Sequence, residues 1–458
     1  MDLVSKKLRN ALTKLSVVGA GYVGLVSACC YAERGYSVTL REVDQDRLQA
    51  IQRGKPPFSE PMIDGVLERA LSSGRLVVTK NMLEAVLDSD VTFIAVGTPS
   101  RKDGSIDLSQ VRLAAKEIGV CLKQTNAFHH VVVRSTVVPG TTGKIVKPVL
   151  QQTSGKELGE GFGLAVNPEF LREGSAVHDT YHPDRIIIGE LDKKTGDFLE
   201  DFYRKFHVEK TPPVLRMSSA SAEMAKYASN AFLATKISFI NEMANMCENV
   251  DDVDVVQVAE AVGLDTRIGR KFLDAGLGFG GSCFPKDVRA LIAASERRNC
   301  TPRLLKVVLA INDRQPLNAV RLALDELHSL KRKRVAVLGL SFKPGTDDMR
   351  EARSIVLINR LLKLGAEVVA YDPVANENAR KLLGEEIEYA KSLDECIRGA
   401  DCCIVATEWD EFRRSTPENF FSLMRTPVVI DGRRIYDPHS YAKRTRYRAV
   451  GLADIQPA

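Results

Sequence analysis

No apolar run in the 458-residue chain approaches the roughly 18–20 residues that span a bilayer. The longest, such as Val91–Val96 and Val335–Leu340, are strand-sized, which excludes a helical membrane span. Residues 1–13 are polar and basic, without the apolar core and small-residue cleavage site of a leader. The nine cysteines are odd in number and irregularly placed, with no Cys-x-x-Cys. That argues against a disulfide framework or structural zinc and for a reducing, intracellular (cytoplasmic) setting. A net charge of +5 over this length is too dilute for a nucleic-acid footprint, and the densest basic run, Lys331–Arg334, reads as a solvated linker. With 44% apolar, 27% charged and 6% aromatic residues, disordered, collagen-like and coiled-coil classes are excluded as well.

Two stretches of alternation stand out. From about residue 14 to 190, short β-branched runs (Leu15–Val18, Val38–Leu40, Leu76–Thr79, Val91–Val96, Val131–Arg134, Leu164–Val166, Ile186–Ile188) alternate with helix-sized segments. The rhythm returns in Val335–Leu340, Glu367–Tyr371, Ile387–Tyr389, Cys402–Ala406 and Val428–Ile430. Near-continuous apolar strands between helices predict parallel sheets covered on both faces, hence two doubly wound, Rossmann-like α/β domains. Residues 213–320 carry no strand pattern. Within them Ser218–Val250 lacks Gly and Pro and repeats apolar residues at helical spacing (Met224, Ala228, Phe232, Thr235, Phe239, Met243), predicting one long central helix with a stripe suited to a second subunit. The expected organisation is an extension (1–13), a first Rossmann-like domain (14–212), a central helical and dimerisation domain (213–320) and a second Rossmann-like domain (321–458).

Gly19-Ala20-Gly21-Tyr22-Val23-Gly24 follows the first strand and opens a helix. The first Gly permits the tight turn, the second admits a pyrophosphate, and the third lets helix and strand pack closely. Glu42 closes the second strand, 18 residues past the third Gly, where an acid takes ribose hydroxyls and repels a 2′-phosphate. NAD is therefore expected rather than NADP.

Further on, Gly276-Leu-Gly-Phe-Gly-Gly-Ser-Cys283-Phe-Pro-Lys286-Asp287 places four glycines in six residues before a cysteine. Such a loop brings backbone close to a ligand, and the neighbouring ammonium and N–H groups favour the thiolate that attacks carbonyls. Lys226 and Asn230, four apart, share a helix face and suit a developing oxyanion, although spacing alone leaves a solvated Lys beside a packed Asn equally open. After Gly339, the cations Lys343 and Arg350 with Thr346 suit a second pyrophosphate, and Arg433 after the last strand could reach the same crevice. The pair His178/His182 has helical spacing without a further ligand, so no metal is expected.

Together these motifs resemble the UDP-glucose/GDP-mannose dehydrogenase family. The resemblance extends over nearly the whole chain, through Gly19–Gly24, Val96–Ser100, Ser135–Gly140, Asn167–Gly174, Lys226–Asn230, Gly278–Asp287, Phe342–Arg350 and Asp431–Arg433. It implies oxidation of a nucleotide sugar's C6 hydroxyl to a carboxylate with two NAD, through a thiohemiacetal and a thioester on Cys283. UDP-glucose is the expected sugar, with UDP-N-acetylmannosamine and GDP-mannose as alternatives. By position, Lys226 and Asn230 would stabilise oxyanions, while Thr136, Glu169 and Asp287 would position water and move protons. The resemblance assigns the cofactor to Gly19, Gly21, Tyr22, Val23, Gly24, Glu42, Arg47, Thr98, Thr136, Glu173, Lys286 and Arg350. It assigns the UDP-sugar to Glu169, Phe170, Leu171, Arg172, Lys226, Asn230, Phe272, Gly280, Phe342, Lys343 and Arg433, with Arg267 reaching into a neighbouring subunit of a homodimer. Two departures are visible: Glu42 stands where the family commonly has Asp, and residues 1–13 precede the family's usual start. A two-electron hydroxyacid dehydrogenase would share the glycine turn and the Lys–Asn pair but has no use for Cys283. A non-catalytic NAD-binding protein would show gaps among Cys283, Lys226, Asn230, Asp287 and Glu169, and all five are present.

Overall fold

The computed structural model describes residues 13–453, so the expected extension lies outside the described residues except for its last member. The chain forms two compact units that divide between Ala228 and Ser229.

The first unit holds β1 (Lys14–Val18), β2 (Ser37–Arg41), β3 (Leu76–Thr79), β4 (Val91–Ile94), β5 (His129–Val133), β6 (Phe162–Val166), β7 (Ile186–Glu190) and β8 (Val214–Ser218) in one sheet of order β3-β2-β1-β4-β5-β6-β7-β8. The order reverses at β1, and ligands of such sheets sit beyond the carboxyl ends of the strands at that switch. Successive residues of one strand supply opposite faces: Val91 and Phe93 pack on one side and Ile94 on the other, as do Val132 against Val131 and Val133.

The second unit repeats the plan with β9 (Arg334–Leu338), β10 (Glu367–Tyr371), β11 (Glu388–Tyr389), β12 (Cys402–Val405), β13 (Val428–Asp431) and β14 (Arg446–Ala449), ordered β11-β10-β9-β12-β13-β14 and parallel throughout. Its alternation is as regular, with Val335 and Val337 on one face and Ala336 and Leu338 on the other. The helical segments Val255–Gly263, Phe284–Glu296, Arg303–Arg314 and Pro316–Leu327 precede that sheet. The long helix runs from Ser219 to Cys247, its first ten residues belonging to the first unit and the rest to the second.

Three expectations need correction. Residues 213–320 do contain a strand: β8 pairs with β7. β14 was likewise outside the predicted set. Both lie at a sheet edge, where burial is partial and the sequence alternates (Val-Leu-Arg-Met-Ser, Arg-Tyr-Arg-Ala) instead of running apolar. The first sheet is also not wholly parallel. β6 and β7 pair antiparallel through Ala165↔Glu190 and Val166↔Gly189, a reversal that strand composition does not encode.

Candidate active site

In the first unit the three fingerprint glycines divide their work as the pattern predicts. Gly19 adopts φ +102° in the turn between β1 and the following helix, and its N–H donates to Arg41 O at 2.9 Å, tying the turn to the end of β2. A Cβ on Gly24 would stand 1.9 Å from Gly19 O, so helix Tyr22–Glu33 can approach β1 only without a side chain there. A Cβ on Gly21 would meet nothing within 4 Å, which leaves open room at a helix N-terminus that no side chain caps. Uncapped N–H groups and the helix dipole make that room suited to a phosphate, so the turn fits a dinucleotide.

Glu42 is buried and tied to the same turn. Its Oε2 accepts from Ala20 N–H (3.0 Å) and its Oε1 from the N–H groups of Val43 (2.7 Å) and Asp44 (2.9 Å). Arg47 reaches Oε2 at 3.3 Å with a half-exposed guanidinium. Thr98 and Thr136 stand together, the Thr98 hydroxyl donating to Thr136 O at 3.0 Å.

A buried ion pair lies on the Asn167–Gly174 segment. Lys226 Nζ is 3.2 Å from Glu169 Oε1, both side chains less than a tenth exposed, and Glu169 Oε2 accepts from Leu171 N–H at 2.6 Å. Lys226 also lies 5.2 Å from the Phe170 ring centre. This decides what spacing left open: Lys226 is no solvated lysine. Two residues the sequence did not single out hold the segment and the helix in place. Arg134, at the end of β5, donates to Asn167 Oδ1 at 2.5 Å. Glu223, three residues before Lys226, accepts from Gly140 N–H (2.5 Å), Thr142 N–H (2.8 Å) and the Thr142 hydroxyl (2.6 Å), fastening the helix to the segment after Thr136. Burial pushes its carboxyl above the usual range. Arg172 turns instead onto Asp179, in a two-pronged pair at 2.9 and 2.6 Å.

In the second unit Cys283 sits at the N-cap of helix Phe284–Glu296, partly exposed, with the Ser282 hydroxyl 3.5 Å from its sulfur. A helix N-terminus favours thiolate. The contrast is with Cys29, Cys30, Cys396 and Cys402, which are buried and whose thiols burial pushes up, Cys30 to about 12. Asp287, one turn after Cys283, is buried and accepts from Asn230 Nδ2 at 2.6 Å and Lys286 Nζ at 2.5 Å. Asn230, Lys286 and Asp287 therefore form one group, and the Asp287 N–H donates to Cys283 O at 2.8 Å.

The glycines before Cys283 have a role within the protein itself. The space a side chain would need is filled by the protein itself: Gly432 O stands 3.1 Å from a Cβ at Gly276, Asn312 Oδ1 2.5 Å from one at Gly278, Glu351 O 2.4 Å from one at Gly280, and the Phe342 ring 2.7 Å from one at Gly281. They permit close chain packing, which is why the loop needs four. Buried amides then satisfy its backbone. Asn241 Oδ1 takes Gly276 N–H (2.8 Å), Gln315 donates to Gly276 O (3.0 Å), and Asn312 both accepts from Phe279 N–H (2.7 Å) and donates to Phe279 O (3.0 Å). No residue spacing announces these amides.

The cations of the second α/β domain are partly engaged. Arg350 pairs with Asp348 at 2.6 Å, Lys343 Nζ lies 5.5 Å from the Phe342 ring centre, and Arg433 Nε donates to Ala406 O at 2.7 Å. Asp372 ends β10 as Glu42 follows β2, but six donors of its own unit occupy it, including Leu340 N–H at 2.8 Å and Trp409 Nε1 at 3.1 Å. The first unit's turn is open at its second glycine; in the second unit the matching acid is fully committed. Phe272 has φ +67° and packs 6.2 Å from the Phe284 ring. Arg267 stands apart, exposed and paired with Asp265 at 2.6 Å. His178 and His182 lie with ring centres 5.0 Å apart on an exposed edge.

Comparison with known proteins gives three matches along the chain. Residues 13–207 match the NAD binding domain of the UDP-glucose/GDP-mannose dehydrogenase family, 220–314 its central domain and 336–438 its UDP binding domain. UDP-glucose 6-dehydrogenase AglM of Haloferax volcanii is 47% identical over 92% of this chain and 97% of its own length. A UDP-glucose dehydrogenase from Pyrobaculum islandicum superposes with TM-score 0.89 at 41% identity, covering 97% of this chain and 99% of that one. A UDP-D-ManNAc dehydrogenase from Pyrococcus horikoshii gives TM-score 0.84 at 28% identity, with coverage of 96% and 99%. With three family domains in order, an open glycine turn and a cysteine at a helix N-terminus, the chain belongs to the UDP-glucose/GDP-mannose dehydrogenase family and is an NAD-dependent oxidoreductase.

Proposed function

We propose that this enzyme oxidises the C6 hydroxyl of UDP-glucose to a carboxylate, with Cys283 holding the carbon between two oxidations. NAD supplies the hydride acceptor for both. The observation that carries the reading is the partly exposed Cys283 at a helix N-terminus, one turn from a buried Asp287 braced by Asn230 and Lys286. A two-electron dehydrogenase has no need of such a thiol. UDP-glucose is chosen among family sugars because relatives at 47% and 41% identity bear that substrate in their names, whereas the UDP-D-ManNAc relative stands at 28%.

Removal of hydride from C6, with the hydroxyl proton passing to water, leaves an aldehyde. The Cys283 thiolate adds to it, forming a C–S bond and an oxyanion that the Lys226 ammonium and Asn230 amide stabilise. Loss of the second hydride converts the thiohemiacetal to a thioester. Water, positioned by Thr136, Glu169 and Asp287, adds to the thioester carbonyl and gives up both its protons to solvent; the C–S bond breaks, the thiolate is regenerated and the carboxylate leaves. The thiol anchor keeps the aldehyde from diffusing away between the oxidations.

The organisation that goes with this reading is a NAD-binding domain over 14–212, a central helical domain over 213–320 and a UDP-sugar domain over 321–458, supported by the three family matches. The remaining contacts assigned by resemblance belong to it too: Gly21, Glu42, Glu173 and Arg350 for the cofactor, and Phe170, Phe272, Gly280, Lys343 and Arg433 for the UDP-sugar. The enzyme acts as a homodimer in the cytoplasm. Met224, Phe232, Phe239 and Met246 are 45%, 65%, 47% and 56% exposed and recur every seven or eight residues on one face of the long helix, a stripe that association would cover. The exposed Arg267 is free of the core and suits a contact across that dimer. Among the described residues no helix is long and apolar enough to cross a membrane.

The test is NADH formed per sugar consumed with UDP-glucose, UDP-N-acetylmannosamine and GDP-mannose, with Cys283→Ser alongside. Two NADH per UDP-glucose, with the variant stalled before acid release, is the expected result. One NADH per turnover, or full turnover without the thiol, refutes the mechanism; activity on another sugar alone overturns only the substrate.

A further inference from the structure

Outside every motif named above lies Glu60, a carboxylate only 4% exposed, in the segment between helices Gln45–Gln52 and Ile63–Ser72. Its donors come from two places that matter. Oε2 accepts from Gly174 N–H at 2.6 Å and from the Tyr22 hydroxyl, and Oε1 accepts from Ala176 N–H at 2.7 Å. Gly174 N–H also reaches the Tyr22 oxygen at 3.1 Å, closing a triangle. Phe58, two residues before Glu60, packs its ring 4.8 Å from that of Tyr22. Burial, together with the Glu60 carboxylate, holds the Tyr22 hydroxyl well above its ordinary range, so it remains a donor at working pH.

Tyr22 is the first residue of the helix at the glycine turn, and Gly174 ends the segment that carries Glu169 and Glu173. One buried side chain thus joins the phosphate-binding end of the cofactor site to the Asn167–Gly174 segment. All three groups facing it are donors, which only a carboxylate satisfies on both oxygens; a glutamine would set its NH2 against one of them. We propose that Glu60 is a positioning residue for NAD, fixing through Tyr22 and Gly174 where Glu173 stands relative to the glycine turn. This rests on the assignment of Glu173 to the cofactor made above.

The sign of the effect separates positioning from simple electrostatics. Removing a buried negative charge near a pyrophosphate site would, by relief of Coulomb repulsion alone, tighten NAD. Loss of positioning weakens it. The experiment is calorimetric titration of NAD into the full-length protein and its Glu60→Gln, Tyr22→Phe and double variants. Each single change is expected to raise the NAD Kd roughly tenfold, the scale of one hydrogen bond to a charged group, and the double variant about as much as one single change because both cut the same link. NAD affinity that is unchanged or tighter, or losses that add in the double variant, overturns the proposal. Should Glu60→Gln fail to fold, Glu60→Asp, which keeps the charge and shortens the reach, takes its place in the cycle, with the same loss of NAD affinity expected and an unchanged Kd overturning the proposal. Glu173→Gln titrated beside them isolates the assumption: unchanged affinity there removes the Glu173 assignment, while the Tyr22–Glu60 coupling still stands or falls on its own cycle.

Discussion

Replacing Asn312 by alanine should both destabilise the second unit and loosen the nucleophile. Asn312 is 1% exposed and partners both backbone groups of Phe279, accepting from its N–H at 2.7 Å and donating to its carbonyl at 3.0 Å. Truncation leaves a buried donor and a buried acceptor unmade, each costing about 1–3 kcal/mol, so a loss of about 2–6 kcal/mol is expected. Phe279 lies four residues before Cys283 and is itself buried, so the cost falls on the loop that presents the thiol. The single tryptophan, Trp409, belongs to the same unit, and its fluorescence during urea denaturation follows that unit. The second assay is the rate at which iodoacetamide alkylates Cys283 in the folded protein. A variant whose urea midpoint implies less than about 1 kcal/mol lost, and whose Cys283 reacts at the wild-type rate, would show that water satisfies Phe279 and that the amide clamp does not govern the loop.

Two other perturbations reach the first unit. Gly24→Ala puts a methyl 1.9 Å from Gly19 O, backbone that cannot rotate away, and should cost NAD binding and stability together; native-like calorimetric NAD affinity in this variant would contradict the packing role of the third glycine. His129, His130 and His207 are buried and burial pulls each down to about 4 from an ordinary value near 6.5. Unfolding lets them bind protons at ordinary pKa, so the unfolded state carries more protons between pH 6.5 and 4, and these groups make stability fall as pH drops through that window. Urea midpoints measured from pH 7.5 to 5 should decline accordingly, and a flat profile would refute the contribution.

Much of this enzyme is legible in its residues because the relevant chemistry is local. A glycine turn after a β-branched run, an acid 18 residues later, and a lysine and an asparagine one helical turn apart are constraints between near neighbours in sequence. Parallel strands buried on both faces read as continuous apolar runs, so the central strands of both sheets were visible from composition. The edge strands β8 and β14 were not, because a half-exposed edge alternates like a loop with scattered apolar residues. Nor could composition show that β7 runs against β6, since strand direction is set by how connections cross the sheet.

The sequence by itself determined the fold class, the dinucleotide turn and the cysteine, each through a pattern only a few residues wide. The tertiary structure alone decided what surrounds them. It buried Lys226 against Glu169 and turned the glycines before Cys283 into contacts with Asn312, Glu351 and Phe342. It also brought Glu60 to Tyr22 and Gly174, positions 38 and 114 residues away. Hydrogen bonds over such separations leave no periodicity to read, because they depend on where whole elements pack rather than on the repeat of any one of them.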